Sequence, residues 1–548
     1  MQGPERKRLK MDTASHIHLD PKQKHILDLC LTGKNIFFTG IGGTGKTFLL
    51  QQIAEGMRRK LGASKVAVAA STGVAAVICQ GQTLHSLAGC GVPSVVSDFD
   101  KCWKQKHVWM GLAVLIIDEV SMLDPTYIDW LDATVRSIRK TPTKAFGGIQ
   151  LILCGDFGQL PGICKGVSIA SKCPINIDFS VKRIPVQVNQ FQGYVFQTVC
   201  WRDAAFVYCE LTTVFRQSEV AMVSALTKIR RGQLDTEVLS FIDSCTRELS
   251  LDEEIKPTVL YARNKDVDAE NVSKLAALPG DPIAFEAIDS VIPDKCSPVW
   301  VRERMLSDNF FRSALVPERV VLKVGAQVML TKNMPSVGLV NGSRGVVKHF
   351  INKEQSIENL TARTTGKLCL DIAARQIMDS QLQAIRNGPV TAVYPVVLFC
   401  NGKELLCSPV EFNHRIYMTG DCRRVQVPLK LAWALTMHKC QGDTLDKVQV
   451  DLTGCFSPGQ CYVALSRAKA TSGLQITGFT KDTVKTHPLA IAFHDALTAG
   501  TVDAFLSTVP RWFDPLLQAG VDPNWRSLFE SSKVFRKWTT ASAPAASV

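Results

Sequence analysis

The chain of 548 residues is too long for one ordinary hydrophobic core, so about two to four domains are expected. Its composition, 46% hydrophobic and 21% charged, is that of a globular protein, and stretches such as LAVLIID at 112–118 fall short of the roughly 18 apolar residues a membrane helix needs. The balance of 63 Lys and Arg against 50 Asp and Glu, net +13, suits a polyanionic partner, and 18 cysteines without a C-x-x-C pair argue for reduced thiols in an intracellular setting rather than a disulfide scaffold or a zinc site.

In chain order, residues 1–18 read as a disordered basic tail. MQGPERKRLKMD places Arg6, Lys7, Arg8 and Lys10 within five positions, either a nuclear-import patch or a solvated tail, while Glu5, Asp12 and Asp20 weaken a mitochondrial transit reading. The nucleus is the expected compartment and the mitochondrion the alternative.

From about 20 to 215 strand and helix patterns alternate as a parallel α/β sheet with crossover helices requires. NIFFTG, VAVAAS, LAVLIIDE and IQLILCGD are short, nearly continuous apolar runs ending in a small or acidic residue. Strands buried on both faces have this form, and ligands gather at their carboxyl ends.

The first of these strands runs into FFTGIGGTGKTFLL, where residues 40–47 fit the phosphate-loop pattern G-x-x-x-x-G-K-T. Gly40, Gly42, Gly43 and Gly45, with Thr44 among them, let backbone N–H groups turn onto phosphates, and the following helix adds its positive end. Lys46 is expected to reach the β/γ-phosphates and Thr47 to offer its hydroxyl to Mg²⁺. AVLIIDEV then supplies Asp118 to hold Mg²⁺ and Glu119 as general base for the attacking water. In SMLDPTYIDWLDATVRSIRK, Tyr127, Ile128, Leu131, Val135 and Ile138 recur at helical spacing, which by itself means a helix packed on the core. LILCGDFGQLPG ends where Gln159 would touch the γ-phosphate or the water. Arg216 and Arg467 are the candidate arginines for the γ-phosphate charge.

A second, more broken α/β region follows, with PTVLYARN at 257–264 as a strand and LKLAWALTMHKCQGDTL at 429–445 as a strand entering a helix. Between them, GAQVMLTKN, NGSRGVVKHF, YPVVLFCNGKELLC and RRVQVPLK indicate a β module inserted over 321–428. After about 490 the pattern is helical, and TTASAPAASV is too small and polar to pack. VPRWFDPLLQAG is expected to pack back on the second domain, with docking to a partner as the alternative.

Taken in order from about 19 to 490, these segments resemble the petite integration frequency (PIF-one) DNA helicases of superfamily one. LDPKQKHILDLCLTGKNIFFTGIGGTGKT is similar to the family's opening block, in which a glutamine, here Gln23, reads adenine. STGVAA and GQTLHSL resemble early DNA-contacting motifs and point to Thr72, Gly73, Thr83 and His85. Residues 121–162 resemble the family's signature segment. LTTVFRQ and GQCYVALSRA resemble its two arginine motifs and WALTMHKCQGDTL its coupling motif, which points to Thr436, His438, Gln441, Gly442 and Thr444 as links between DNA phosphates and the nucleotide cleft. The chain departs from the usual pattern at Gly42, where alanine is common, at Gly162, where a second proline often stands, and at Cys440, where serine is common.

The resemblance implies tandem RecA-like P-loop domains with ATP and Mg²⁺ between them and single-stranded or forked DNA across both. The implied layout is a first domain over 19–215 with a small wedge near 75–110, and a second domain over 216–320 and 429–490. An SH3-like β insert would occupy 321–428, and a helical extension ending in a disordered tail 491–548. A monomer moving 5′ to 3′ in replication, repair, recombination or telomere maintenance is expected, with replication or repair proteins as partners. Two rivals remain at this stage: a P-loop ATPase or translocase that separates no strands, and a DNA-binding protein whose motor has decayed. The intact Lys46, Asp118, Glu119, Gln159, Arg216 and Arg467 argue against decay.

Overall fold

The computed structural model describes residues 19–91, 96–162, 193–249, 255–293, 311, 316–332, 334, 339, 341–365, 372–387, 392–416, 420–438, 440–441 and 444–510. The basic tail at 1–18 and most of VPRWFDPLLQAG lie outside them.

The first domain opens with helix α1 (Pro21–Leu31), whose start is dictated by the local sequence Asp-Pro-Lys-Gln. The Asp20 side chain accepts from the Gln23 N–H at 2.9 Å and the Gln23 side chain accepts from the Asp20 N–H at 3.2 Å, a capping box with proline at the first helical turn. Then come β1 (Ile36–Gly40), α2 (Lys46–Leu61), β2 (Val66–Ala70), α3 (Gly73–Ile78), β3 (Gln82–Thr83), α4 (Leu84–Ala88), α5 (Lys106–Gly111), β4 (Val114–Asp118), α6 (Pro125–Arg139), β5 (Gln150–Cys154) and β6 (Val207–Leu211). The six strands pair in the order β3-β2-β4-β5-β1-β6, all parallel.

Every residue of β1, β2 and β4 is buried, as the apolar runs predict. Alternation along β1 explains why both faces need cover: Ile36 and Phe38 point into a core with Leu49, Leu50, Ile53 and Met57 of α2, while Phe37 points into the opposite core with Leu131 and Val135 of α6. Fully burying such side chains contributes about 1.5–3 kcal/mol each. The predicted stripe of α6 is buried throughout, and its start is capped by the Asp124 side chain, which accepts from the Thr126 N–H at 2.7 Å.

The remaining strands are β7 (Thr258–Tyr261), β8 (Ile283–Glu286), β9 (Ile288–Pro293), β10 (Arg319–Leu322), β11 (Gln327–Leu330), β12 (Arg344–Asn352), β13 (Val393–Phe399), β14 (Glu404–Leu406), β15 (Val410–Ile416), β16 (Gly420–Gln426), β17 (Leu429–Leu431), β18 (Ala434–Thr436), β19 (Val448–Asp451) and β20 (Leu474–Thr477). A second parallel sheet has the order β18-β7-β19-β20. Between its first and second strands in sequence lies an antiparallel region, made of a five-stranded sheet β14-β13-β12-β11-β17, the pair β10-β8 and a three-stranded sheet β15-β16-β9. Two helices in this region, Lys353–Thr365 and Ile372–Asn387, have no counterpart in the strand pattern expected there.

One expectation needs correction. After β18 the described residues Met437, His438, Cys440 and Gln441 form turns, closed by Cys440 N–H to Thr436 carbonyl at 3.1 Å, and not a helix. The C-terminal segment, as far as it is described, adds its apolar face to the first domain, while His494 meets Arg230 of the second at 2.9 Å. Helices Pro488–Ala499 and Val502–Thr508 add Phe493, Ala496, Val502 and Leu506 to the core containing Phe37. Arg202 and Gln197 of the first domain hold the carbonyls of Val509 and Pro510 at 2.7 and 3.0 Å.

Candidate nucleotide and DNA site

The phosphate loop sits at the carboxyl end of β1 and runs into α2, with Gly45 in the left-handed conformation at the helix start. Gly43 also has positive φ, +88°, and a Cβ there would stand 2.6 Å from the Arg216 Cβ, so only glycine fits. Lys46 Nζ donates to the Gly40 and Ile41 carbonyls at 2.9 and 3.2 Å. Gln23 is buried, and its Nε2 lies 3.5 Å from the Thr44 carbonyl, over the loop.

Asp118 ends β4 beside the loop, and its Oδ2 accepts from the Thr47 hydroxyl at 3.0 Å. Burial raises the Asp118 carboxyl, opposed by hydrogen bonds from the Glu119 N–H and Thr47 and by the Lys46 charge. Glu119 adopts a left-handed backbone, φ 52°, and its buried Oε2 has no hydrogen-bond partner among the described residues. Its carboxyl is pushed up to about 7 by burial and by Asp118, against the pull of Lys46 and Arg467. A hydroxyl and a carboxylate oxygen in contact, next to a second carboxylate, form the hard oxygen set that suits Mg²⁺.

The second domain closes over this loop. Arg216 donates to the Ser466 carbonyl at 3.0 Å, and Gln217 to the Ser466 and Ala468 carbonyls at 3.1 and 2.8 Å. Arg467, 2% exposed, is held by the Val463 carbonyl at 2.8 Å and the Ser466 hydroxyl at 2.7 Å. Arg216 also lies against Gly43 of the loop, and the Arg467 charge acts on the Glu119 carboxyl. Gln159, also buried, donates to Asp156 Oδ2 at 3.2 Å and accepts from Gln441 Nε2 at 3.3 Å. Gly459 packs so closely that a Cβ would lie 2.5 Å from the Gln159 carbonyl oxygen.

The positions matched to DNA-contacting motifs line the carboxyl ends of strands in both parallel sheets, where ligands collect. Thr72 and Gly73 follow β2, with the Thr72 hydroxyl accepting from the Ala75 N–H at 3.2 Å. Thr83 ends β3 and caps α4 through the Ser86 N–H at 3.2 Å. His85 stacks on Tyr127, centroids 4.3 Å apart, and burial lowers its imidazole to about 4, so it would meet DNA as a neutral donor. Thr436 ends β18, with His438 and Gln441 in the turns beyond and Thr444 exposed. Burial also lowers the His438 imidazole. Gly442 lies outside the described residues.

Several site residues escaped the sequence reading. Tyr462 accepts from the Gly42 N–H at 2.7 Å. Phe215, 58% exposed, donates its N–H to the Gly43 carbonyl at 2.8 Å and lays its ring over Gly45 beside Gln23. Asp156 is gripped by Arg230 through Nη2 at 2.7 Å and approached by His494 at 3.4 Å. Burial opposes its charge, but the Arg230 guanidinium holds that carboxyl well below the usual range. Phe215 adjoins Arg216 and Tyr462 opens the YVALSRA motif of Arg467, which is the signal that finds them; the triad has none, its members lying 74 and 264 positions apart.

The departures from the usual pattern are sterically accounted for. A Cβ at Gly42 would make ordinary 3.4 Å contacts with Ser466 and Tyr462, whereas one at Gly162 would lie 2.7 Å from the Met122 carbonyl oxygen. Cys440 donates through Sγ to the Met437 carbonyl, as a serine would.

Comparison with known proteins agrees with this architecture. The PIF1-like helicase family matches residues 18–224, and the DNA helicase Pif1 2B domain matches 309–350. The ATP-dependent DNA helicase RRM3 of Saccharomyces cerevisiae is 33% identical over 535 residues, 89% of this chain and 69% of its own. The ATP-dependent DNA helicase PIF1 of Emericella nidulans is 36% identical over 495 residues, 86% of this chain and 62% of its own. This chain thus spans 62–69% of the length of these two relatives. The crystal structure of Pif1 helicase from Candida albicans superposes with a TM-score of 0.62 at 32% identity, covering 88% of this chain and 100% of that one. Unliganded Pif1 from Bacteroides shares the fold at 24% identity, with a TM-score of 0.62 over 88% of this chain and 98% of that one.

Proposed function

Because the chain belongs to the PIF1-like helicase family, we propose that it is an ATP-dependent DNA helicase that moves 5′ to 3′ along single-stranded DNA. The observation that carries the reading is the Gln441–Gln159 hydrogen bond, 3.3 Å, which joins the DNA-side turn of the second domain to the strand end facing the nucleotide. A signalling ATPase has no use for that link.

In the proposed cycle, ATP lies between the RecA-like domains, its phosphates on the backbone of residues 40–47 and Lys46, its adenine near Gln23. Thr47 and Asp118 would hold Mg²⁺, which supplies charge neutralisation at the β- and γ-phosphates. Glu119 takes the proton of the attacking water, Gln159 orients that water, and Arg216 and Arg467 balance the γ-phosphate charge. Loss of the γ-phosphate removes what the arginines hold, so the cleft opens and the turn bearing His438 and Gln441 shifts relative to Thr72, Gly73, Thr83 and His85. Thr436, Gly442 and Thr444 complete the grip on DNA phosphates. Such contacts read little sequence and weaken with salt. Separating one base-pair step costs about 1.4 kcal/mol on average, within reach of one turnover.

The chain acts as a monomer on single-stranded and forked DNA in genome maintenance, in the nucleus, with the basic cluster Arg6 to Lys10 as the supporting feature for that compartment. The mitochondrion is the alternative. The test is ATP-driven opening of two duplexes, one with only a 5′ tail and one with only a 3′ tail. Opening of the 5′-tailed substrate alone, abolished by Lys46→Ala while DNA binding persists, is expected. Hydrolysis indifferent to DNA would sink the helicase reading, and hydrolysis stimulated without opening would leave a translocase.

A further inference from the structure

Tyr462 has no part in the cycle above. It stands on the short helix Gln460–Leu465, 2% exposed, and its hydroxyl accepts from the Gly42 N–H across the cleft at 2.7 Å. A phenol carries one O–H donor beside its lone pairs, and among the described residues no acceptor takes that donor. The oxygen therefore meets the phosphate loop with its acceptor side satisfied and its donor side open. Burial and the nearby Asp156 push the phenol up to about 12, so it keeps its proton at neutral pH.

The position selects which phosphate the donor would meet. The backbone N–H groups at the start of α2 serve the inner phosphates while Lys46 reaches the β/γ-phosphates, and Gly42 lies ahead of them, on the side of the loop facing Tyr462 and Ser466, whose carbonyl Arg216 holds. A Cβ at Gly42 would stand 3.4 Å from both the Tyr462 hydroxyl and Ser466 Oγ, so this wall is in direct contact with the loop. A terminal phosphate entering here brings the strong acceptor that the hydroxyl lacks.

We infer that Tyr462 is a sensing residue for the terminal phosphate of a nucleoside triphosphate. Its hydroxyl accepts from the Gly42 N–H, and toward a bound terminal phosphate it donates to a phosphate oxygen and adds to the force drawing the second domain onto the loop. The inference rests on the nucleotide-site reading proposed above and concerns how that site tells triphosphate from diphosphate.

The test is equilibrium binding of ADP and of a non-hydrolysable ATP analogue, with Mg²⁺, to the full chain and to Tyr462→Phe. Loss of one hydrogen bond to a charged group predicts that analogue affinity falls about tenfold or more, while ADP affinity stays within roughly threefold, which also reports that the variant folds. Tyr462→Met removes the same hydroxyl and guards against a folding failure peculiar to Phe. Equal weakening of both nucleotides, or no change in either, would overturn the inference. If discrimination is lost in the variants while DNA fails to stimulate the unaltered chain, Tyr462 keeps its role and the helicase reading falls. If the unaltered chain binds neither nucleotide, both fall together.

Discussion

Glu119 shows how a single residue is shaped for its task. Its backbone is left-handed and its Oε2 is buried without a hydrogen-bond partner among the described residues, an arrangement that costs stability and raises its proton affinity. The ordinary value of 4.5 rises to about 7 in the folded chain. Between those values the native state holds a proton that the unfolded chain has lost, so this group makes stability decline as pH rises through that window. Catalysis needs the ionised form, so turnover should rise with pH and level off above about 7, the value to which this carboxyl is raised. Glu119→Gln should flatten that profile and lower kcat by about 10²–10⁴ while ATP still binds; a pH–rate series on both proteins checks this. The neighbouring glycines make a second, steric prediction. Gly42→Ala meets only ordinary contacts and should shift stability by no more than about 0.5 kcal/mol. Gly43→Ala, with φ at +88° and Arg216 in the way, should lose nucleotide binding. Thermal melts with and without ATP separate the two.

Elements differ in how openly the sequence declares them. β1, β2, β4 and β5 are legible because strands covered on both faces must be apolar throughout. α6 is legible because its stripe, its proline and its Asp124 cap all agree. The segment after β18 misleads, since MHKCQG carries residues compatible with a helix yet its described residues form turns that bring Gln441 to Gln159. Only the partner strand end makes that conformation worth adopting. The element therefore predicts its own phenotype: Gln441→Ala should keep basal hydrolysis within roughly threefold, because it touches the nucleotide only through Gln159, and should lose most of the DNA stimulation. A steady-state assay with and without single-stranded DNA measures both. Unchanged stimulation would remove the link from the coupling path.

At the scale of the whole molecule, the chain leaves the second domain and returns to seal the first. Phe493 stacks on Phe196 at 4.8 Å and meets Phe157 and Phe37 edge-on at 5.0 and 5.8 Å. Phe493→Ala should cost about 3–5 kcal/mol, read from the urea midpoint, and its effect should fall on the first domain although the residue follows the second in sequence. Net charge of +13 acts at the same scale. Log affinity for single-stranded DNA should fall linearly with log salt concentration, with a slope of about −0.7 per phosphate neutralised. A salt series by fluorescence anisotropy gives that number. The sequence by itself determined the phosphate loop, the Asp118–Glu119 pair, the parallel strands and the arginine motifs, because each depends on residue types at short, fixed spacings. The tertiary structure alone decided the contacts of Tyr462 with Gly42, of Gln441 with Gln159, and of Arg230 and His494 with Asp156. These join residues from 74 to 420 positions apart, and no local pattern encodes a pairing that arises only when two separately folded domains and a returning helix close on one another.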